Sequence, residues 1–154
     1  MFVSPNIEYV EGFQRLFDVN VRAPFFLTAA LLPGMAARGR GSVVNVSTSA
    51  TTFAIGGGAA YAATKAALES LTRTWAVEFR GTGVRVNAIA PGATVTEGTQ
   101  ALAPDVVDEV GRTSPLGRTA SAREIAEAIV FLASPRASYV HGELLFADGG
   151  RTIG

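Results

Sequence analysis

The 154-residue chain has no cysteine, which excludes disulfides, thiolate zinc sites and thiol catalysis. It has a single histidine, His141, too few for a histidine-metal cluster or a Ser-His-Asp triad. Neither sign of charge is in excess, because 13 Lys and Arg balance 13 Asp and Glu. No polyanion or anionic membrane surface is implied, so neither nucleic acid nor membrane is expected as a partner. Long apolar runs are also lacking. The most apolar stretch, Ala23 to Leu32, holds Pro24 and Thr28 and is too short to span a bilayer. Met1 to Asn6 has no basic start and no apolar core, so no signal peptide is expected and the chain reads as cytoplasmic. What is present, 48% hydrophobic residues over this length, fits one domain with a real core.

Glu8 to Ala37 reads as a long helix, with Phe13, Leu16, Phe17 and Val21 at helical spacing. Pro24 interrupts it and deprives the Asn20 carbonyl of its helical donor. Pro33-Gly34 should loosen it further. Ser42 to Ser47 is a short valine-rich strand with little alternation, as expected for burial on both faces in a parallel sheet. Hydroxyls follow at once: Ser47, Thr48, Ser49, Thr51 and Thr52. Gly56-Gly57-Gly58 reads as a flexible connector, since it lacks the context of a phosphate loop. Ala59 to Arg80 is a helix with a large stripe (Leu68, Leu71, Trp75, Phe79) for the sheet. Its small stripe (Ala63, Ala66, Ala67, Ser70, Thr74) suits close approach of another helix. Glu69 and Arg73 have the spacing of a surface ion pair. Val84 to Ala90 is the second strand, closed by Pro91-Gly92. Residues 93–119 are polar and irregular, with a short helix around Pro104 to Val110, and suit a substrate lid. Ser121 to Glu124 is a capping box, and Ile125, Ile129 and Leu132 are the inner face of its helix. Glu143 to Ala147 is a third strand before Asp148-Gly149-Gly150. This alternation predicts a parallel α/β sheet with right-handed connections. The first helix has no strand before it, so the chain looks as though it starts late.

One stretch carries chemistry: Tyr61-Ala62-Ala63-Thr64-Lys65. Residues four apart share a helix face, and a nearby ammonium favours a phenolate. A tyrosine tuned toward neutrality can exchange a proton with a hydroxyl or carbonyl. Alone, this spacing is most often a chance surface pair.

The surrounding motifs change that reading. The sequence resembles the C-terminal part of a short-chain dehydrogenase/reductase. The resemblance rests on Tyr61-x-x-x-Lys65, Asp18-Val19-Asn20-Val21, Val84-Arg85-Val86-Asn87-Ala88-Ile89-Ala90-Pro91-Gly92, Pro115-Leu116-Gly117-Arg118, Glu124-Ile125-Ala126 and Asp148-Gly149-Gly150. All stand in family order between Asn20 and Gly150. The fold implied is a truncated Rossmann-like, doubly wound parallel sheet of about three strands, without the N-terminal βαβ units. The resemblance implies that Tyr61 is the general acid/base, and that Lys65 lowers its pKa and holds the nicotinamide ribose. It implies that the Asn20 carbonyl binds a relay water, and that Pro91, Gly92, Thr94 and Thr96 border the nicotinamide. The family's substrate-binding serine falls on Thr48, favoured here over its neighbours Ser47 and Ser49.

The resemblance also implies NAD or NADP as cofactor, without a choice between them, and an alcohol or carbonyl substrate. It implies a homo-oligomer formed through the two long helices. The glycine-rich pyrophosphate turn is not in the sequence, nor is the residue that selects NAD or NADP. Two functions are therefore expected: part of an NAD(P)-dependent oxidoreductase that is inactive as this fragment, or a non-catalytic association module. No metal site is expected.

Overall fold

The computed structural model describes residues 7–53, 58–102 and 104–153. The Met1–Asn6 and Gly56-Gly57 readings lie outside these. The β-branched runs form strands β1 (Gly41–Val46) and β2 (Val84–Pro91), and Leu144–Ala147 forms β5. They pair in the order β1-β2-β5, all parallel. A second, two-stranded parallel ladder joins β3 (Thr94–Val95) to β4 (Ala120–Ser121), a pairing with no pattern in the sequence. Strand β2 is central and almost wholly buried. Strand β1 was expected to be buried on both faces. It is half-buried instead, and Val46 is 43% exposed. The cause is its position at the edge of the described sheet.

Helix α3 (Ala59–Glu78) follows β1 and helix α6 (Ala122–Ala133) precedes β5. Adjacent residues of a strand face opposite ways, and the core divides accordingly. Val43, Val84 and Val86 pack with Leu71 and Trp75 of α3, with Phe79 just after it, and with Leu32. Val44 and Ile89 pack on the other face with Ile125, Ile129 and Leu132 of α6. The sheet is thus covered on both faces. Leu32 and Trp75 are buried, and truncating either to Ala should cost about 2–5 kcal/mol. The Ser121–Glu124 capping box starts α6 with both reciprocal bonds made.

The N-terminal helix is not interrupted. Helix α1 (Ile7–Phe17) runs through a π turn at Asp18–Arg22 into helix α2 (Ala23–Ala37), with Pro33 inside it. The Ala23 N–H reaches back five residues to the Asp18 carbonyl. This wider turn accommodates the proline ring that would otherwise clash with the carbonyl four residues back. The joined helix Tyr9–Ala37, 29 residues, is long and apolar enough to cross a membrane by length and composition, unlike the Ala23–Leu32 stretch judged alone. In this fold its inner face, Thr28 and Leu32, is buried, and Leu32 packs on the sheet. On its outer face Phe13 is 50% and Phe26 62% exposed. The described residues supply no surface to cover them.

The C-terminal strand ends meet along one edge. The Ser47 N–H bonds the Ile89 carbonyl at 2.7 Å, and the Gly92 N–H bonds the Ala147 carbonyl at 3.0 Å. A Cβ at Gly92 would lie 2.7 Å from the Asp148 Cα, so only glycine allows this approach.

Candidate active site

Leaving β1, the chain enters a short 3₁₀ turn, Ser49–Thr51, which the Thr48 hydroxyl caps by accepting the Ala50 N–H. Successive residues alternate in direction here. The buried Ser47 hydroxyl donates to Glu69 Oε1 of α3, and the Thr51 hydroxyl donates to the same oxygen at 2.9 Å. Thr48 points the other way, into the cleft that Tyr61 also lines, where hydrogen bonding to its hydroxyl favours the phenolate. Glu69 is therefore a buried anchor for this turn and not half of a surface pair with Arg73. The helical phase holds the clue, since residue 69 shares the inner face with Thr72 and Leu68.

Tyr61 and Lys65 occupy the first turns of α3. The Lys65 Nζ donates to the Val46 carbonyl at 2.9 Å and lies 5.8 Å from the centre of the Tyr61 ring. Tyr61 is partly buried, and burial pushes its phenol above the ordinary 10.0, partly offset by the Thr48 hydrogen bond. Burial also lowers the Lys65 ammonium from 10.5. The sequence led us to expect Lys65 to pull the phenol down. In this free chain desolvation dominates, because low polarizability penalises both charged forms.

Asn20 sits in the π turn. Its amide donates to the Thr64 hydroxyl at 3.1 Å, and that hydroxyl donates to the Tyr61 carbonyl at 2.7 Å. Asn20 is thus tied to the turn of α3 carrying Tyr61 and Lys65, but does not line the cleft beside them.

That cleft has a volume of about 520 Å³. It brings together Thr48, Tyr61, Lys65, Pro91, Gly92 and Thr94, with Thr96 at the start of helix α4 (Glu97–Leu102). The Thr94 hydroxyl donates to the Gly92 carbonyl at 3.0 Å. Thr96 and Thr99 cap α4 reciprocally: each hydroxyl accepts the other residue's N–H, at 3.1 and 2.9 Å. Helix α5 (Pro104–Arg112) closes the cleft with Val106, Val107 and Val110.

Sequence spacing gave no hint of Arg151. Its guanidinium stacks 4.5 Å from the ring of Phe53, a residue lining the cleft, and donates to the Val110 carbonyl and the Thr113 hydroxyl. The Leu116 N–H bonds the Gly149 carbonyl at 3.1 Å. The 93–119 segment is therefore fastened to the turn after β5, across a distance in sequence that no local pattern reports.

The family model described as enoyl-(acyl carrier protein) reductase matches residues 7–152. The 3-oxoacyl-[acyl-carrier-protein] reductase of Thermotoga maritima is 38% identical over 143 residues, 93% of this chain and 58% of that protein. A solved short-chain dehydrogenase/reductase family protein superimposes with a TM-score of 0.90 at 50% identity, covering 98% of this chain and 61% of that one. The gluconate 5-dehydrogenase of Burkholderia cenocepacia, solved with NADP and tartrate, gives 0.88 at 32% identity over 99% and 59%. The chain thus spans about three-fifths of the length of these relatives, in a truncated form of their fold. By its sheet, its motifs and these matches, the chain belongs to the short-chain dehydrogenase/reductase family.

Proposed function

We propose that the chain is the catalytic part of an NAD(P)-dependent oxidoreductase that interconverts an alcohol and a carbonyl. One observation carries this reading: Thr48 and Tyr61 line one cleft together with Lys65 and the Pro91–Thr96 strand end. Two adjacent hydroxyls can hold one substrate oxygen, Thr48 by donating and Tyr61 by passing its proton. A phenol held above 10.0 is protonated at neutral pH, so Tyr61 is set to donate in the reductive direction. Glu69 positions Thr48 through the 3₁₀ turn.

The residues present fit the nicotinamide end of the cofactor. Lys65 is an ammonium that could leave the Val46 carbonyl for a ribose diol, and Gly92 to Thr96 offer backbone and hydroxyl groups for a carboxamide. When bound, the nicotinamide supplies or accepts the hydride. The sequence holds no Thr-Gly-x-x-x-Gly-x-Gly turn for a pyrophosphate, so useful turnover is assigned to a polypeptide that includes that half. Residues 93–119 would form the substrate lid of this single domain, Asn20 would hold a relay water, and the setting is cytoplasmic. A homo-oligomer through α1–α2 and α3 is supported by exposed Phe13 and Phe26. The same faces favour the second reading, a non-catalytic association module.

In the complete polypeptide, Tyr61→Phe should abolish NAD(P)H-dependent carbonyl reduction and leave cofactor binding nearly unchanged, because only the proton-handling oxygen is lost. Steady-state rates within a few-fold of the parent would refute the assignment.

A further inference from the structure

We infer that the substrate carries uncharged, apolar groups and no carboxylate or phosphate beside its carbonyl or carbinol carbon, a statement that rests on the oxidoreductase reading above. The walls around the Thr48–Tyr61 pair are Val46, Ala50, Phe53, Val106, Val107 and Val110. Among the described residues lining the cleft, Lys65 is the sole cation, and its Nζ is held by the Val46 carbonyl. The cations nearby are committed elsewhere. Arg151 lies behind Phe53 and is fixed to Val110 and Thr113. Arg118 is paired with Glu124 at 2.7 Å.

The charge outside the cleft points the same way. Helix α5 is two-faced. Val106, Val107 and Val110 line the cleft, while Asp105, Asp108 and Glu109 are exposed. Arg112, in its last turn, is its one basic residue. A carboxylate or phosphate on the substrate would meet the field of these acids and lose water with no free cation in the cleft lining to replace it. An apolar group instead covers surface that is otherwise wet, since Val106 is 56% exposed.

The test measures binding to the 154-residue chain directly, by saturation-transfer NMR. The probes are methyl cyclohexyl ketone and cyclohexylglyoxylate, close in size and differing in the carboxylate. The ketone should bind at least tenfold more tightly than the keto acid. Val106→Asp should lose the ketone. Val130→Asp, on the exposed side of α6 and away from the cleft, should keep it, and circular dichroism should show both variants folded. The inference is overturned if the keto acid binds as well as the ketone, if neither binds, or if folded Val106→Asp binds the ketone unchanged. Turnover separates this from the reading beneath it. A complete polypeptide that reduces keto acids and not apolar ketones refutes only the inference. One that reduces no carbonyl refutes the oxidoreductase reading even where the ketone binds.

Discussion

At Tyr61 two effects compete, and their sizes decide the chemistry. Partial burial raises the phenol above 10.0, and the Thr48 hydrogen bond pulls it back. The Lys65 ammonium donates to the Val46 carbonyl and lies 5.8 Å from the ring centre. Removing the hydrogen bond should therefore move the phenol further up. We expect Thr48→Val to raise the midpoint of the Tyr61 phenolate absorbance above that of the parent. The chain has three tyrosines, so Tyr61→Phe serves as the subtraction blank. A midpoint that falls in Thr48→Val would show that Thr48 opposes the phenolate. The stability sign follows from the same shift. A raised folded pKa favours the neutral phenol, so its contribution is full below 10.0 and is lost as pH rises through the folded value.

Between elements, the structure is held by polar groups acting over apolar packing. Glu69 joins α3 to the turn after β1 through Ser47 and Thr51. Glu69→Ala leaves the buried Ser47 hydroxyl without its acceptor, at about 1–3 kcal/mol, while the Thr51 hydroxyl keeps the Thr48 carbonyl at 3.1 Å. Arg73 is exposed and meets no carboxylate among the described residues, so Arg73→Ala should stay within about 0.5 kcal/mol. Urea denaturation of the two variants distinguishes an inward anchor from the surface ion pair that i,i+4 spacing suggests. Equal, small losses would restore the ion-pair reading. The π turn at Asp18–Arg22 is a similar accommodation. It lets one continuous helix keep Pro24 and still present Leu32 to the sheet.

For the whole molecule, the notable quantity is the apolar surface left in water. Val19, Phe26 and Leu27 of the N-terminal helix are each more than 60% exposed, and among the described residues β1 has no partner on its outer side. Faces of this kind drive association, and an open parallel edge invites strand pairing. The purified 154-residue chain should elute from size-exclusion chromatography as oligomers, and Phe26→Lys should shift it toward smaller species. A parent chain that remains monomeric at micromolar concentration would show that these faces are tolerated in water.

Local order in the sequence determined most of the architecture. The valine-rich runs, the Ser121–Glu124 box and the large stripe of α3 each act over a few residues, and each forms where expected. Thr48, Tyr61, Lys65, Pro91, Gly92, Thr94 and Thr96 likewise arrive at one cleft, though Asn20 does not, because parallel strands deliver their C-terminal ends to a common edge. The tertiary structure alone decided what depends on neighbours distant in the chain. It turned Glu69 inward, stacked Arg151 on Phe53, paired β3 with β4, and set the Tyr61 phenol by burial instead of by Lys65. Hydrophobic period and capping are properties of adjacent residues. Desolvation and long-range pairing exist only once separate elements have come together.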